Sequence, residues 1–160
     1  MDGVLCNFEK GAVEAINREL SSENPKNPEL AAAVIEDLGR NYVTVDDIQK
    51  FSPGKSSAAT TYMYHLVHDD ENFWANLEWQ PGGKRLWSYI RQFDPDILTS
   101  PMDKKGHNES LSGKLLWVEK NLGLSPDKVN FAHDKYKYAV SEDGKPNVLI
   151  DDFETKAKPF

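Results

Sequence analysis

Apolar residues at Phe8, Ala12, Val13, Ile16 and Leu20 recur with helical spacing, and the polar stretch from Ser21-Ser22 to Pro28 interrupts them, so the pattern predicts a first helix from Phe8 to Leu20. A second helix is predicted from Glu29 to Leu38 with Gly39 as its stop. A short third starts at Thr44, which can cap while Asp47 stands three residues on. Helical periodicity returns from Ser57 to His68 and again from Asp70 to Leu77, where the apolar pair Phe73-Trp74 sits; Pro81-Gly82-Gly83 ends this region. Leu86, Trp87 and Ile90 then share one face of a segment from Lys84 to Phe93.

From there the period changes. Asp96 to Pro101 reads as a short buried strand stopped by proline, Ser110 to Leu122 as a helix stopped by Gly123, Val129 to Ala132 as a strand, and Asn147 to Ile150 as a strand ending in Asp151-Asp152. Strands alternating with helices imply a parallel sheet. The opening residues Met1 to Phe8 carry an acid-glycine pair and an apolar run that leads into the first helix, and they read as the first strand and its turn. The expected architecture is α/β: a Rossmann-like parallel-sheet core, residues 1–13 and 79–160, with a small helical cap, residues 14–78, inserted after the first strand.

Length and composition narrow this further. A chain of 160 residues with 39% hydrophobic and 11% aromatic residues carries enough apolar surface for one folding unit, and hardly enough for two. The formal net charge of -7 disfavours long nucleic acid as a partner but leaves room for a small phosphorylated ligand. The single cysteine, Cys6, cannot form an intramolecular disulfide. No apolar run approaches the roughly 20 residues of a membrane span, and the N-terminus has no secretory pattern. A cytoplasmic protein with no membrane partner is expected, and a homodimer is left open.

Candidate chemistry gathers at the predicted strand ends, where open α/β sheets place their sites. Asp151 and Asp152 side by side would repel unless a cation or hydrogen bonds held them, and Mg²⁺ suits such oxygen donors. Taken alone, such a pair more often caps a segment. Thr99 and Ser100 offer hydroxyls and N–H groups to an anion, although turn residues of this kind commonly bond the local backbone. Lys114, in the first turns of a helix, can neutralise phosphate, yet a lysine on a helix is more often solvated. His65 and His68 lack a third metal ligand and are assigned no role. Lys104, Lys105 and Lys135 follow strand ends, and Lys135 is the best secondary candidate of the three.

In order, Asp2-Gly3-Val4, Ile97-Leu98-Thr99-Ser100, Lys114 and Leu149-Ile150-Asp151-Asp152 resemble the four motifs of the haloacid dehalogenase superfamily of phosphohydrolases. The stretch Asn72 to Glu78 followed by Pro81-Gly82, then Thr99-Ser100-Pro101 and Lys114 to Lys120, is similar to the 5′(3′)-deoxyribonucleotidase family. The resemblance implies a Mg²⁺-dependent phosphatase of nucleoside monophosphates that works through an aspartyl-phosphate intermediate, a 5′-nucleotidase-type phosphoric monoester hydrolase. It implies that Asp2 is the acid that protonates the leaving oxygen and later activates water, its backbone carbonyl binding Mg²⁺. Thr99 and Ser100 would hold phosphoryl oxygens, Lys114 would neutralise charge, and Asp151 and Asp152 would bind Mg²⁺. Phe8 and Trp74 would line the base pocket. The family's nucleophilic Asp stands two positions before the residue matched by Asp2. It is therefore expected ahead of Met1, and the chain is expected to continue at both ends. Two other readings remain at this level: a nucleotide- or phosphate-binding protein without catalysis, and a phosphatase for another small metabolite.

Overall fold

The computed structural model describes residues 1–49, 57–102, 109–154 and 160. Helices dominate. α1 (Phe8–Leu20) begins where the Asn7 side chain accepts from Lys10 N, and it buries Ala12, Ile16 and Leu20. α2 (Pro28–Leu38) takes its cap from Asn27, has proline at its start, and ends at Gly39 with φ 65°, the left-handed stop that favours glycine. α3 (Val45–Gln49) is a single turn. Its entry is held by Asp47, whose buried carboxylate accepts from Thr44 N and Thr44 Oγ1, both at 2.8 Å, and pairs with Arg40. α4 (Ala58–Val67) starts from the Ser57 cap and packs against α1, α2 and α3, burying Tyr62, Met63, Leu66 and Val67. Among the described residues, these four helices supply half of the buried apolar residues of the core.

α5 (Glu71–Ala75), capped by Asp70, lies against α7 (Glu109–Leu122). Trp117 of α7 is fully buried and donates from Nε1 to Leu77 O at 2.7 Å, and Trp79 packs tilted against it with ring centroids 5.1 Å apart. Indole N–H groups taken into a core need such acceptors. α6 (Gly83–Ile90) precedes β1 (Ile97–Thr99), and β2 (Val129–Phe131) follows α7. β1 and β2 pair in parallel, Ile97 opposite Val129 and Thr99 opposite Phe131, so the α7 crossover joins two parallel strands.

The chain is thus a helix-rich α/β protein with a two-stranded parallel sheet among its described residues. Two expected strands are corrected. The opening residues form a turn: Gly3 N donates to Cys6 O at 2.9 Å and Leu5 N to Met1 O at 2.8 Å, with Gly3 at φ 73°, and Asp2 and Cys6 take part only in isolated bridges. Beyond the turn, Asn7 N donates to Glu78 O and Leu5 O accepts from Gln80 N, both at 2.8 Å, an isolated antiparallel contact that extends into no ladder. Asn147 to Ile150 pairs with no strand either, because Val148 is 90% exposed and buries no apolar face that would hold it on a sheet. The expected boundary between residues 13 and 14 falls inside α1, which runs through it unbroken. None of the helices among the described residues is long and apolar enough to cross a membrane.

Candidate functional site

The C-terminal end of β1 delivers Thr99 and Ser100 to the same place as the opening turn. Thr99 is buried, its carbonyl accepting from Ala132 N at 2.9 Å, and Ser100 Oγ donates to Ala132 O at 3.1 Å. The Ser100 hydroxyl is therefore spent on the next strand's exit. Its backbone carbonyl faces Lys114.

Lys114 is the centre of the arrangement. It sits in the second turn of α7, only 2% exposed, and its Nζ donates to Asp2 Oδ2 at 2.7 Å and to Ser100 O at 2.8 Å, with Thr99 Oγ1 at 3.5 Å. Residues 112 positions apart thereby form one ion pair. Burial alone would raise the Asp2 carboxyl. The Lys114 ammonium and the hydrogen bonds from Lys114 and Cys6 work against it, and the carboxyl is held below its ordinary value. Cys6 is the residue the sequence did not flag here: its thiol donates to Asp2 Oδ1 at 3.4 Å. Burial first, and the neighbouring carboxylate second, push that thiol well up, so it remains a protonated donor. The only available signal was its place four residues after Asp2.

A cavity of about 440 Å³ opens beside this cluster, and Asp2, Thr99, Ser100, Lys135, Asp151 and Asp152 all contribute to its wall, together with Phe8 from the start of α1. The two adjacent acids are not equivalent. Asp151 Oδ2 pairs with Lys135 Nζ and its Oδ1 accepts from Phe153 N at 2.9 Å, both side chains of the ion pair being buried. Asp152 forms no ion pair among the described residues, and burial, with a smaller push from Asp151, raises its carboxyl above the ordinary value. Its carboxylate lies against the backbone of Gly3.

Among the described residues no three acidic, histidine or cysteine side chains form a group that could hold a metal ion. Mg²⁺ rarely needs such a cage, because one or two carboxylates plus substrate phosphate and water usually suffice. By that standard the donors fit in kind: the Asp152 carboxylate has no ion-pair partner among the described residues, whereas the Asp151 side chain expected to share the metal is engaged by Lys135; Asp2, expected to bind through its backbone carbonyl, has only its side chain engaged by Lys114. Lys135, expected on the substrate, is engaged by Asp151.

The base-pocket assignment divides in the same way. Phe8 reaches the cavity wall, but Trp74 does not line it. Trp74 is 3% exposed, donates from Nε1 to Val67 O at 2.7 Å, stacks on Phe8 with centroids 5.2 Å apart, and meets Phe73 edge-on. A ring so enclosed has no open face for a base, and the expected stacking platform is a packing residue. Lys104 and Lys105 lie outside the described residues. Comparison of the chain with protein-family models, with curated proteins and with solved structures finds no match.

Proposed function

We propose that the chain is a phosphohydrolase for small phosphate monoesters, with nucleoside monophosphates, and deoxyribonucleotides first among them, as its substrates. The observation that carries this reading is Lys114, a buried ammonium that joins Asp2 to the end of β1 directly behind the cavity wall that Asp2, Thr99 and Ser100 form. Taking a charge out of water is costly, and the energetic outlay makes sense where a negatively charged group arrives to share it. The resemblance to the haloacid dehalogenase motifs supplies the class, since Asp2, Thr99-Ser100, Lys114 and Asp151-Asp152 converge in the order that resemblance requires.

In this reading the phosphate enters the cavity and its oxygens take the ammonium of Lys114 and the backbone N–H groups after β1. The resemblance puts a nucleophilic carboxylate two positions ahead of Asp2, a place this sequence does not include; such a carboxylate would attack phosphorus while the P–O bond to the nucleoside breaks. Asp2 gives its proton to the departing oxygen, then takes one from the water that cleaves the aspartyl phosphate, returning the carboxylate and releasing phosphate. With Lys114 beside it Asp2 is ionised, so it first takes a proton from the incoming phosphate monoanion and then gives that proton to the leaving oxygen. Mg²⁺ held at Asp152 would neutralise phosphate charge when bound.

The test is phosphate release from a panel of nucleoside monophosphates, sugar phosphates and an aryl phosphate. It uses the wild-type protein, with Mg²⁺ or with chelator, beside Lys114→Met. Release that requires Mg²⁺ and collapses in the variant supports the reading. No release above the variant's background from any substrate would defeat it, and preference for a non-nucleotide would move the substrate assignment alone.

A further inference from the structure

Trp74 was expected to face a nucleobase, yet its ring is spent on something else. The Lys114 ammonium lies over it, 4.6 Å from the ring centroid. That contact adds an aromatic face to the oxygen partners of Lys114. The ring itself is fixed by its N–H on Val67 O and by the stacked ring of Phe8. The residue before Lys114 reinforces the arrangement. Gly113 is buried directly under α5, where a Cβ would stand 2.5 Å from both Glu71 O and Trp74 Cβ. Helix α7 therefore meets α5 at backbone distance, at the turn that carries the lysine.

We infer that Trp74 is a positioning residue for Lys114: the α5 segment fixes where the ammonium points through the indole face, and the glycine at 113 permits the approach. The catalytic consequence of this contact rests on the phosphohydrolase reading, while its physical basis does not. An ammonium over an indole is attracted to the negative ring face, and more strongly where water is excluded, as it is here. Four-carbon lysine stems have many rotamers, so an aromatic wall that removes most of them preorganises the charge.

The test separates position from chemistry. In protein labelled with ¹⁵N-lysine, a buried, hydrogen-bonded ammonium gives a cross-peak protected from rapid exchange with water, and Lys114→Arg identifies it by its loss. Trp74→Phe keeps an aromatic face, whereas Trp74→Leu keeps apolar bulk without one, and Trp74→Met serves if the leucine variant does not fold. The cross-peak is expected to persist in Trp74→Phe and to broaden away or shift strongly in Trp74→Leu or Trp74→Met. Where the protein turns over phosphate esters, kcat should fall about 10- to 100-fold in the aliphatic variants, equally for a nucleotide and an aryl phosphate, with KM nearly unchanged and activity largely restored in Trp74→Phe. An unaltered ammonium cross-peak in a folded aliphatic variant would overturn the inference. So would a KM increase confined to nucleotides, which is the signature of a base platform. A wild-type protein that shows the cross-peak behaviour but no turnover would keep the inference and remove the phosphohydrolase reading.

Discussion

Gly3 and Asp152 are packed backbone against carboxylate, so closely that a Cβ on residue 3 would overlap both Oδ2 and Cγ of the acid. Gly3 also has φ 73°, a conformation in which a side chain is strained in its own right. Gly3→Ala therefore has two costs at once, about 1–2 kcal/mol for the left-handed backbone and the displacement of Asp152 from its place beside the opening turn. Urea unfolding should show the loss of stability, and at the proposed Mg²⁺ site the thermal stabilisation expected from the metal should shrink with it. Wild-type stability together with an unchanged Mg²⁺ response would mean that this contact is not what sets the position of Asp152.

Asp152→Asn tests the acid itself. Burial and the charge of Asp151 raise its carboxyl, so the ionised form is disfavoured in the folded chain relative to the unfolded one. For such a group the stability it contributes rises as pH falls through the folded value, and it is a burden above it. Removing the charge while keeping the shape should leave metal-free stability at neutral pH equal or higher and flatten that part of its pH dependence. Stabilisation by Mg²⁺, by contrast, should be abolished, because one hard ligand is lost. Thermal melts with and without Mg²⁺, at several pH values, read both effects. A variant still stabilised by Mg²⁺ would take Asp152 out of the proposed metal site.

Lys114→Met strips Asp2 of its partner. Breaking a buried pair by removing one member commonly costs about 3–5 kcal/mol, and with the Asp2 side chain 29% exposed the lower end is expected. Turnover should drop by about 10² or more, as when one preorganised charge-stabilising group is lost. The pH dependence carries a sign. Asp2 is depressed in the folded protein, so its contribution is fully present above the unfolded value and is lost as pH falls through the depressed one. Wild-type stability should therefore decline on acidification through that range. The variant, having no lysine to depress Asp2, should show this decline weakened or reversed. Parallel acid unfolding curves for the two proteins would show that the pair is not responsible.

The helices were legible because their signals are local. Gly39 and Gly123 end α2 and α7 in the left-handed conformation, at φ 65° and 68°, and Asn7, Ser57 and Asp70 hold helix starts with their own side chains. Strand identity is different, since it depends on a neighbour supplied from elsewhere in the chain. Val148-Leu149-Ile150 has strand composition, but lacks a ladder and a covered face; Ile97-Leu98-Thr99 has both because Val129 to Phe131 lies beside it. The site was legible as a set of residues and illegible as a set of partners. Nothing in the dipeptide Asp151-Asp152 says which acid a lysine will claim. Residue type alone, likewise, does not distinguish a tryptophan that stacks on a ligand from one that shelters an ammonium.

That claim on Asp151 gives the last prediction. Lys135 and Asp151 are an ion pair whose side chains are 9% and 5% exposed, and the second carboxylate oxygen is taken by Phe153 N, so the pair ties the short 3₁₀ turn from Lys135 to Tyr138 to the loop that presents Asp152. If the pair is structural, either single variant strands a charge in a buried place: Lys135→Met leaves a carboxylate, Asp151→Asn leaves an ammonium. Each should cost about 3–5 kcal/mol. Replacing both removes the stranded charge, so the double variant should be far more stable than the sum of the singles implies, with a coupling of up to about 3 kcal/mol. Each single variant should also weaken stabilisation by Mg²⁺, although Asp152 is untouched, because the loop that carries it loses its anchor. If instead Lys135 serves an incoming phosphate and Asp151 a metal, the singles should be nearly as stable as the parent, additive within about 0.5 kcal/mol, and defective only when ligand is present. A urea double-mutant cycle without ligand decides between the two, and additivity there would return Lys135 to the substrate.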